Sequence, residues 1–201
     1  MNSAVRAALI LLACALAACG PASPPAPKFQ STDVTGANFG KALALNDHTG
    51  KPRTLADFQG KIVVVFFGFT QCPDVCPTTL AEMAKVIKEL GNDGGKVQVL
   101  FVSVDPERDT PALLKQYVTA FHPSFLGLVG DADATARTAK EFKVYVQKQP
   151  AKSGKPDGYS VDHSAGTFIL DQQGRLRLFV QYGAGAPALL NDIKILLKQA
   201  G

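Results

Sequence analysis

The chain has 201 residues, 46% of them hydrophobic and 19% charged, with a formal net charge of +4. That is an ordinary globular balance for one or two domains, with apolar residues enough for one compact core. The cations are scattered, with no basic run and no aromatic interleaving, which argues against a nucleic-acid partner. No stretch reaches the ~18 to 20 apolar residues of a membrane-spanning helix.

Met1 to Arg6 is followed by an unbroken run of small and apolar residues from Ala7 to Cys19, which has the shape of a signal peptide. The run ends in Leu16, Ala17, Ala18 and Cys19 and resembles the bacterial lipobox. Residues 1–18 are therefore expected to be a lipoprotein signal peptide, with Cys19 the lipidated first residue of the mature chain. A plain secretory signal cut near Ala18, or an Ala-rich buried helix, are the alternatives. Cleavage removes Arg6 alone among the charged residues, so the mature net charge is +4 less 1, or +3. Acyl chains, at ~0.8 kcal/mol per buried CH₂, hold a protein on a membrane face without spanning it. Residues 19–36, which include the stretch GPASPPAP, are expected to be an extended tether. Residues 37–201 are expected to form the folded domain.

Within that domain, two short strand-like pieces turn at Asp47 to Gly50, and "TLADF" suits a helical turn. Ile62 to Phe67 is a continuous apolar, β-branched and aromatic run, as in a strand buried on both faces. Leu80, Met83, Ala84, Ile87 and Leu90 then recur at helical spacing up to Gly91. Val97 to Val104 reads as a second buried strand. A helix follows with Asp109 or Thr110 as N-cap and Pro111 in its first turn, and another fits residues 131–142. Past "KVYVQKQ" and a Lys, Pro and Gly loop at 150–158, two strands (166–171 and 175–183) meet at Gln172 to Gly174, and a helix closes the chain. The order β-α-β-α-β-β-α, with parallel crossovers first and a hairpin last, predicts a thioredoxin-like α/β fold: a central mixed sheet flanked by helices, with an extra N-terminal hairpin.

Of the four cysteines, Cys14 leaves with the signal and Cys19 would carry a thioether. Cys72 and Cys76 remain, in "GFTQCPDVCPTTLAEM", between a buried strand and a helix. Ligand sites in open α/β sheets lie beyond the carboxyl ends of strands, which makes this loop a candidate site. Residues four apart on a helical turn share a face, so the two sulfurs can converge, and they stand marginally within disulfide reach. Amides at a helix start favour thiolates. A structural disulfide, a redox-active disulfide and a metal site all remain open for this pair. The CxxxC spacing departs from the CxxC of thioredoxin-like oxidoreductases.

Three histidines are available. His48 lies in a turn and His122 follows a helix, both expected at the surface, whereas His163 precedes a core strand. A lone His in that place is more often structural than a ligand. Two thiolates and one imidazole make a soft set. Zinc would want a fourth ligand such as Asp162 or Asp74, while copper accepts fewer.

Three stretches in order, "FFGFTQCPDVCPTTL", "VSVDPERDTP" and "YSVDHSAGTFILD", resemble the signatures of the Sco/SenC family of copper-binding, thioredoxin-fold proteins, over about Phe39 to Gly201. The resemblance implies that Cys72, Cys76 and His163 ligate copper, as Cu(I) or Cu(II), and that Asp105 shapes the site without binding metal. It implies a role in assembling the CuA centre in subunit II of cytochrome c oxidase, as copper donor or as reductant of the receiving cysteines. Another extracytoplasmic copper protein as acceptor, an upstream copper chaperone or thiol reductant, and a redox or copper sensing role also fit. The expected setting is the extracytoplasmic face of a bacterial envelope membrane, with a monomer anchored through Cys19.

Overall fold

The computed structural model describes residues 28–150 and 158–199. The expected signal peptide and residues 19–27 of the expected tether, Cys19 included, lie outside the described residues. In chain order the strands are β1 (Thr32–Asp33), β2 (Ala44–Asp47), β3 (Pro52–Thr54), β4 (Ile62–Gly68), β5 (Val97–Ser103) and β6 (Leu126–Val129), then β7 (Val146–Pro150), β8 (Tyr159–His163), β9 (Gly166–Leu170) and β10 (Leu176–Gln181). The α-helices are α1 (Val75–Glu89), α2 (Pro111–Phe121), α3 (Ala132–Glu141) and α4 (Gly185–Lys198), and short 3₁₀ turns span Leu55–Phe58 and Gly91–Lys96.

Eight strands form one sheet in the order β1, β10, β9, β4, β5, β6, β2, β3, while β7 and β8 form a separate ribbon. β4 and β5 run parallel, as do β5 and β6; β9 lies antiparallel on the other side of β4. β4 and β5 are buried along their whole length. Side chains alternate across a strand, so β4 supplies both halves of the core. Ile62, Val64 and Phe66 pack with Leu80 and Met83 of α1 and Leu189 and Ile193 of α4. Val63, Val65 and Phe67 pack on the opposite face with Leu55, Phe58, Phe142 and Phe168. The result is the expected thioredoxin-like class, with β2 and β3 as the N-terminal hairpin. The buried Asp47 carboxylate holds that hairpin's turn by accepting from the Thr49 amide and hydroxyl and the Lys51 amide.

Four strands escape the sequence reading. β1, β6, β7 and β8 have two, four, five and five residues, and only tertiary pairing defines pieces that short. β1 lies inside the span expected to be tether, yet it pairs with β10 at Thr32 and Phe179. Just before it, the Gln30 and Ser31 amides donate to the fully buried Asp192 carboxylate on α4, at 2.8 and 2.9 Å. The domain edge therefore begins near residue 30. Replacing Asp192 by Ala orphans both amides, so Asp192→Ala is expected to lower unfolding stability by about 1–3 kcal/mol, measured by urea denaturation.

Candidate metal centre

The first helix begins at Val75, two residues before Pro77, which is tolerated in a first turn because its missing N–H would have no helical partner there. Asp74 occupies the N-cap position but its side chain does not cap the helix. The sulfur of Cys72, still in the loop, does so instead: the Cys76 amide donates to it at 3.4 Å. Cys72 and Cys76 thus meet across the helix entrance, and not along one helical face as the spacing suggested.

Both thiols are free. Cys76 is fully buried against the sheet, with Cys72 half-buried at the rim. The room for Cys76 comes from Gly68, where an added Cβ would stand 2.7 Å from the Phe101 ring and 2.8 Å from the Cys76 sulfur.

The sulfurs differ in their protons. The Cys76 thiol beside it, then the His163 ring and the amides of Cys76 and Asp74, hold Cys72 far below the ordinary thiol range. The same neighbour, followed by burial, pushes Cys76 up. Of the two, the outer sulfur is therefore the one that gives up its proton first.

The ring of His163 reaches this pair from 87 positions away, with its Nε2 4.0 Å from the Cys76 sulfur. Its Nδ1 lies 3.1 Å from the Ser164 carbonyl. A carbonyl only accepts, so Nδ1 is the donor in that contact, which leaves Nε2 as the ring atom facing the sulfurs. Phe69 packs edge-on against the ring at 6.0 Å. Metal–sulfur and metal–nitrogen bonds of roughly 2.3 and 2.0 Å add up to more than the 4.0 Å gap, so one ion can span it. Among the described residues, no group of three or more His, Cys, Asp and Glu side chains is already drawn into a metal cage.

Of the two carboxylates considered as further ligands, Asp74 is exposed and its side chain contacts Thr78 at 3.4 Å. Asp162 is exposed between Val161 and His163 on β8, where alternation turns it to the other face of the ribbon from the ring. Neither carboxylate is brought to the sulfurs; Asp74 contributes its backbone amide to Cys72. His48 and His122 are elsewhere, half-buried: His48 accepts from the Gly127 amide and His122 contacts Ser124.

Asp105 is fully buried behind the site and accepts from the Tyr159 hydroxyl at 2.7 Å and from Arg108 Nε. Sequence reasoning missed Asp109 as a site residue. It does not cap α2, a role that Thr110 takes. Its buried carboxylate instead accepts from the Thr70 hydroxyl and the Ser103 hydroxyl, each at 2.6 Å, fastening the loop that leads to Cys72. Burial pushes the Asp109 carboxyl up, against the pull of these donors. The motif "VSVDPERDTP" contained the signal, since a second acid four residues after Asp105 offers an inward as well as a capping role.

A helix and loop presenting two free cysteine sulfurs to an imidazole, on a thioredoxin-like sheet, define a soft-metal or dithiol protein. Residues 31–198 match the family model described as SCO1/SenC, and the chain belongs to that family. The mitochondrial SCO2 homologue of Bos taurus is 42% identical over 142 residues, covering 70% of this chain and 52% of that protein. The chain thus matches about half the length of that relative. The structure of ScoI from Bradyrhizobium japonicum with copper bound is 39% identical, with a TM-score of 0.71 over 79% of this chain and 99% of that one. A SCO1/SenC family lipoprotein from Bacillus anthracis is 26% identical, with a TM-score of 0.69 over 85% and 99%.

Two outcomes follow for the thiols. Because Cys72 is the depressed group, iodoacetamide at pH 6 should alkylate Cys72 well ahead of Cys76, with the Cys72 rate falling only in more acidic solution; mass spectrometry of the digest reads both. Gly68→Ala should lower stability by about 1–3 kcal/mol through overpacking and raise Cys76 alkylation, as the inner sulfur is displaced.

Proposed function

We propose that the protein is a copper metallochaperone that holds a single copper ion through Cys72, Cys76 and His163 and supports assembly of the CuA centre of cytochrome c oxidase. The observation that carries this reading is the approach of His163 Nε2 to the inner sulfur, at 4.0 Å. Two sulfurs and a nitrogen are the set that soft Cu(I) selects, and the imidazole also suits Cu(II). The ScoI relative, whose structure has copper bound, supports the metal. The CuA role rests on family membership, and subunit II of the oxidase is its acceptor in this reading.

The chain would work from the extracytoplasmic face of a bacterial membrane, tied by lipid on Cys19. The lipobox-like stretch and the lipoprotein relative support that placement. Copper passes by ligand exchange: an acceptor thiolate bonds to the ion as one of the chain's own ligands leaves, with no change in oxidation state.

The depressed Cys72 thiolate beside a protonated, buried Cys76 also favours a second reading, a reductase of the oxidase cysteines. Cys72 would attack one sulfur of the acceptor's disulfide and expel the other as thiolate. Cys76, giving up its proton, would then attack Cys72 and release the acceptor as dithiol, two electrons having passed to it.

Anaerobic titration of the full chain with Cu(I) should saturate at a single ion. Cys72→Ser or Cys76→Ser should abolish this binding, and His163→Ala should weaken it by about 10- to 100-fold. Full affinity and an unchanged Cu(II) spectrum in His163→Ala would exclude the three-ligand site. Turnover of an oxidised CuA-domain peptide that is indifferent to His163→Ala would favour the reductase.

A further inference from the structure

His163 is the last residue of β8, and β8 belongs to a ribbon outside the main sheet. The ring's position therefore depends on how that ribbon is docked. Val161 enters the core at one point. At the far end of β8, four residues before the ring, the docking is polar and centres on Arg108.

The Arg108 guanidinium is planar, with donors in a fixed fork, and it uses three directions. Nε donates to the buried Asp105 carboxylate. Nη1 donates to the Tyr159 carbonyl on the ribbon at 3.0 Å and to the Gln71 side chain, next to Cys72, at 3.1 Å. Its flat face covers the Tyr159 ring with 3.7 Å from Cζ to the ring centroid, and Phe69 lies 5.8 Å away. The Tyr159 hydroxyl closes the circuit by donating to the other oxygen of Asp105. On the outside, Lys148 of β7 pairs with Glu107 at 2.6 Å.

We propose that Arg108 is a positioning residue: by joining the β7–β8 ribbon, the Asp105 anchor and the Cys72 loop, it sets the His163 ring against the two sulfurs. The geometry supports the assignment because one side chain touches the segments on either side of the candidate centre, and Asp105 holds it from behind. The metal side of this inference rests on the proposed function; the mechanical side does not. Lys in the same place keeps the charge but loses the fork and most of the stacking.

The test uses the full chain in four forms: parent, Arg108→Gln, Arg108→Lys and Tyr159→Phe. In the metal-free proteins, hydrogen exchange by mass spectrometry should show the amides of residues 146–150 and 159–163 exchanging about 10-fold faster or more in both Arg108 variants, with β4 and β5 unchanged. Tyr159→Phe, which deletes one hydroxyl, should show a smaller acceleration in the same residues. With copper, Arg108→Gln should weaken binding by about 10- to 100-fold and move the thiolate-to-Cu(II) absorption toward that of His163→Ala. Arg108→Lys should not restore it.

In the His163→Ala background, Arg108→Gln should add less than about 3-fold, because its effect passes through the ring. Parental exchange rates in the ribbon of Arg108→Gln would overturn the pin. Faster exchange with parental copper affinity and spectrum, or equal effects of Arg108→Gln with and without His163, would overturn its positioning of the ring. If Arg108→Gln does not fold, Arg108→Lys and Tyr159→Phe decide by the same readings. A parent that binds no copper would overturn the proposed function and leave the exchange data alone to decide the pin.

Discussion

Everything at the candidate centre depends on the antiparallel pairing of β4 with β9 in the middle of the sheet, which sets Phe66 opposite Thr167. Antiparallel neighbours place the end of one strand beside the beginning of the other. The chain leaves β4 through Gly68 toward Cys72 and enters β9 just after His163. Residues 87 positions apart thereby meet without a long connection having to be ordered for that purpose. Both strands are buried throughout, so the pairing is protected by the largest part of the hydrophobic core, and the centre inherits that rigidity on its sulfur side.

The imidazole side is built differently. It hangs on a two-stranded ribbon that the core grips at Val161 and that polar contacts grip around the buried Asp105 and the half-buried Arg108 and Tyr159. Burial and the Asp105 carboxylate push the Tyr159 phenol up to about 12, so it remains a donor at any physiological pH. Polar contacts of this kind exchange more readily than a packed apolar face. The centre thus joins a half set in the apolar core to a half held largely by polar contacts.

Much of this was legible in the sequence where periodicity is strong. The run from Ile62 and the Leu80-to-Leu90 repeat announced β4 and α1, and the three linked motifs brought Cys72, Cys76 and His163 together before any coordinates did. The remainder depends on tertiary contacts that leave no local pattern. β8 reads as loop because its five residues are patterned by a partner strand and not by a core. Asp109 looks like a helix cap until Thr70 and Ser103 are seen to face it. Asp162 and His163 are adjacent in sequence, and only the existence of a strand shows that they point opposite ways. The expected tether reached too far because a two-residue strand and a buried Asp192 have no signature in composition.

The unequal exposure of the two sulfurs has a directional consequence. A visitor, whether thiol or metal, can touch only the outer atom first, because the inner one has no accessible surface. In the proposed function this orders the exchange: an incoming thiol bonds first to residue 72, and residue 76 is out of its reach until then. Such an ordering would favour a docked protein offering several donors in sequence over small diffusible thiols, which arrive at one atom only.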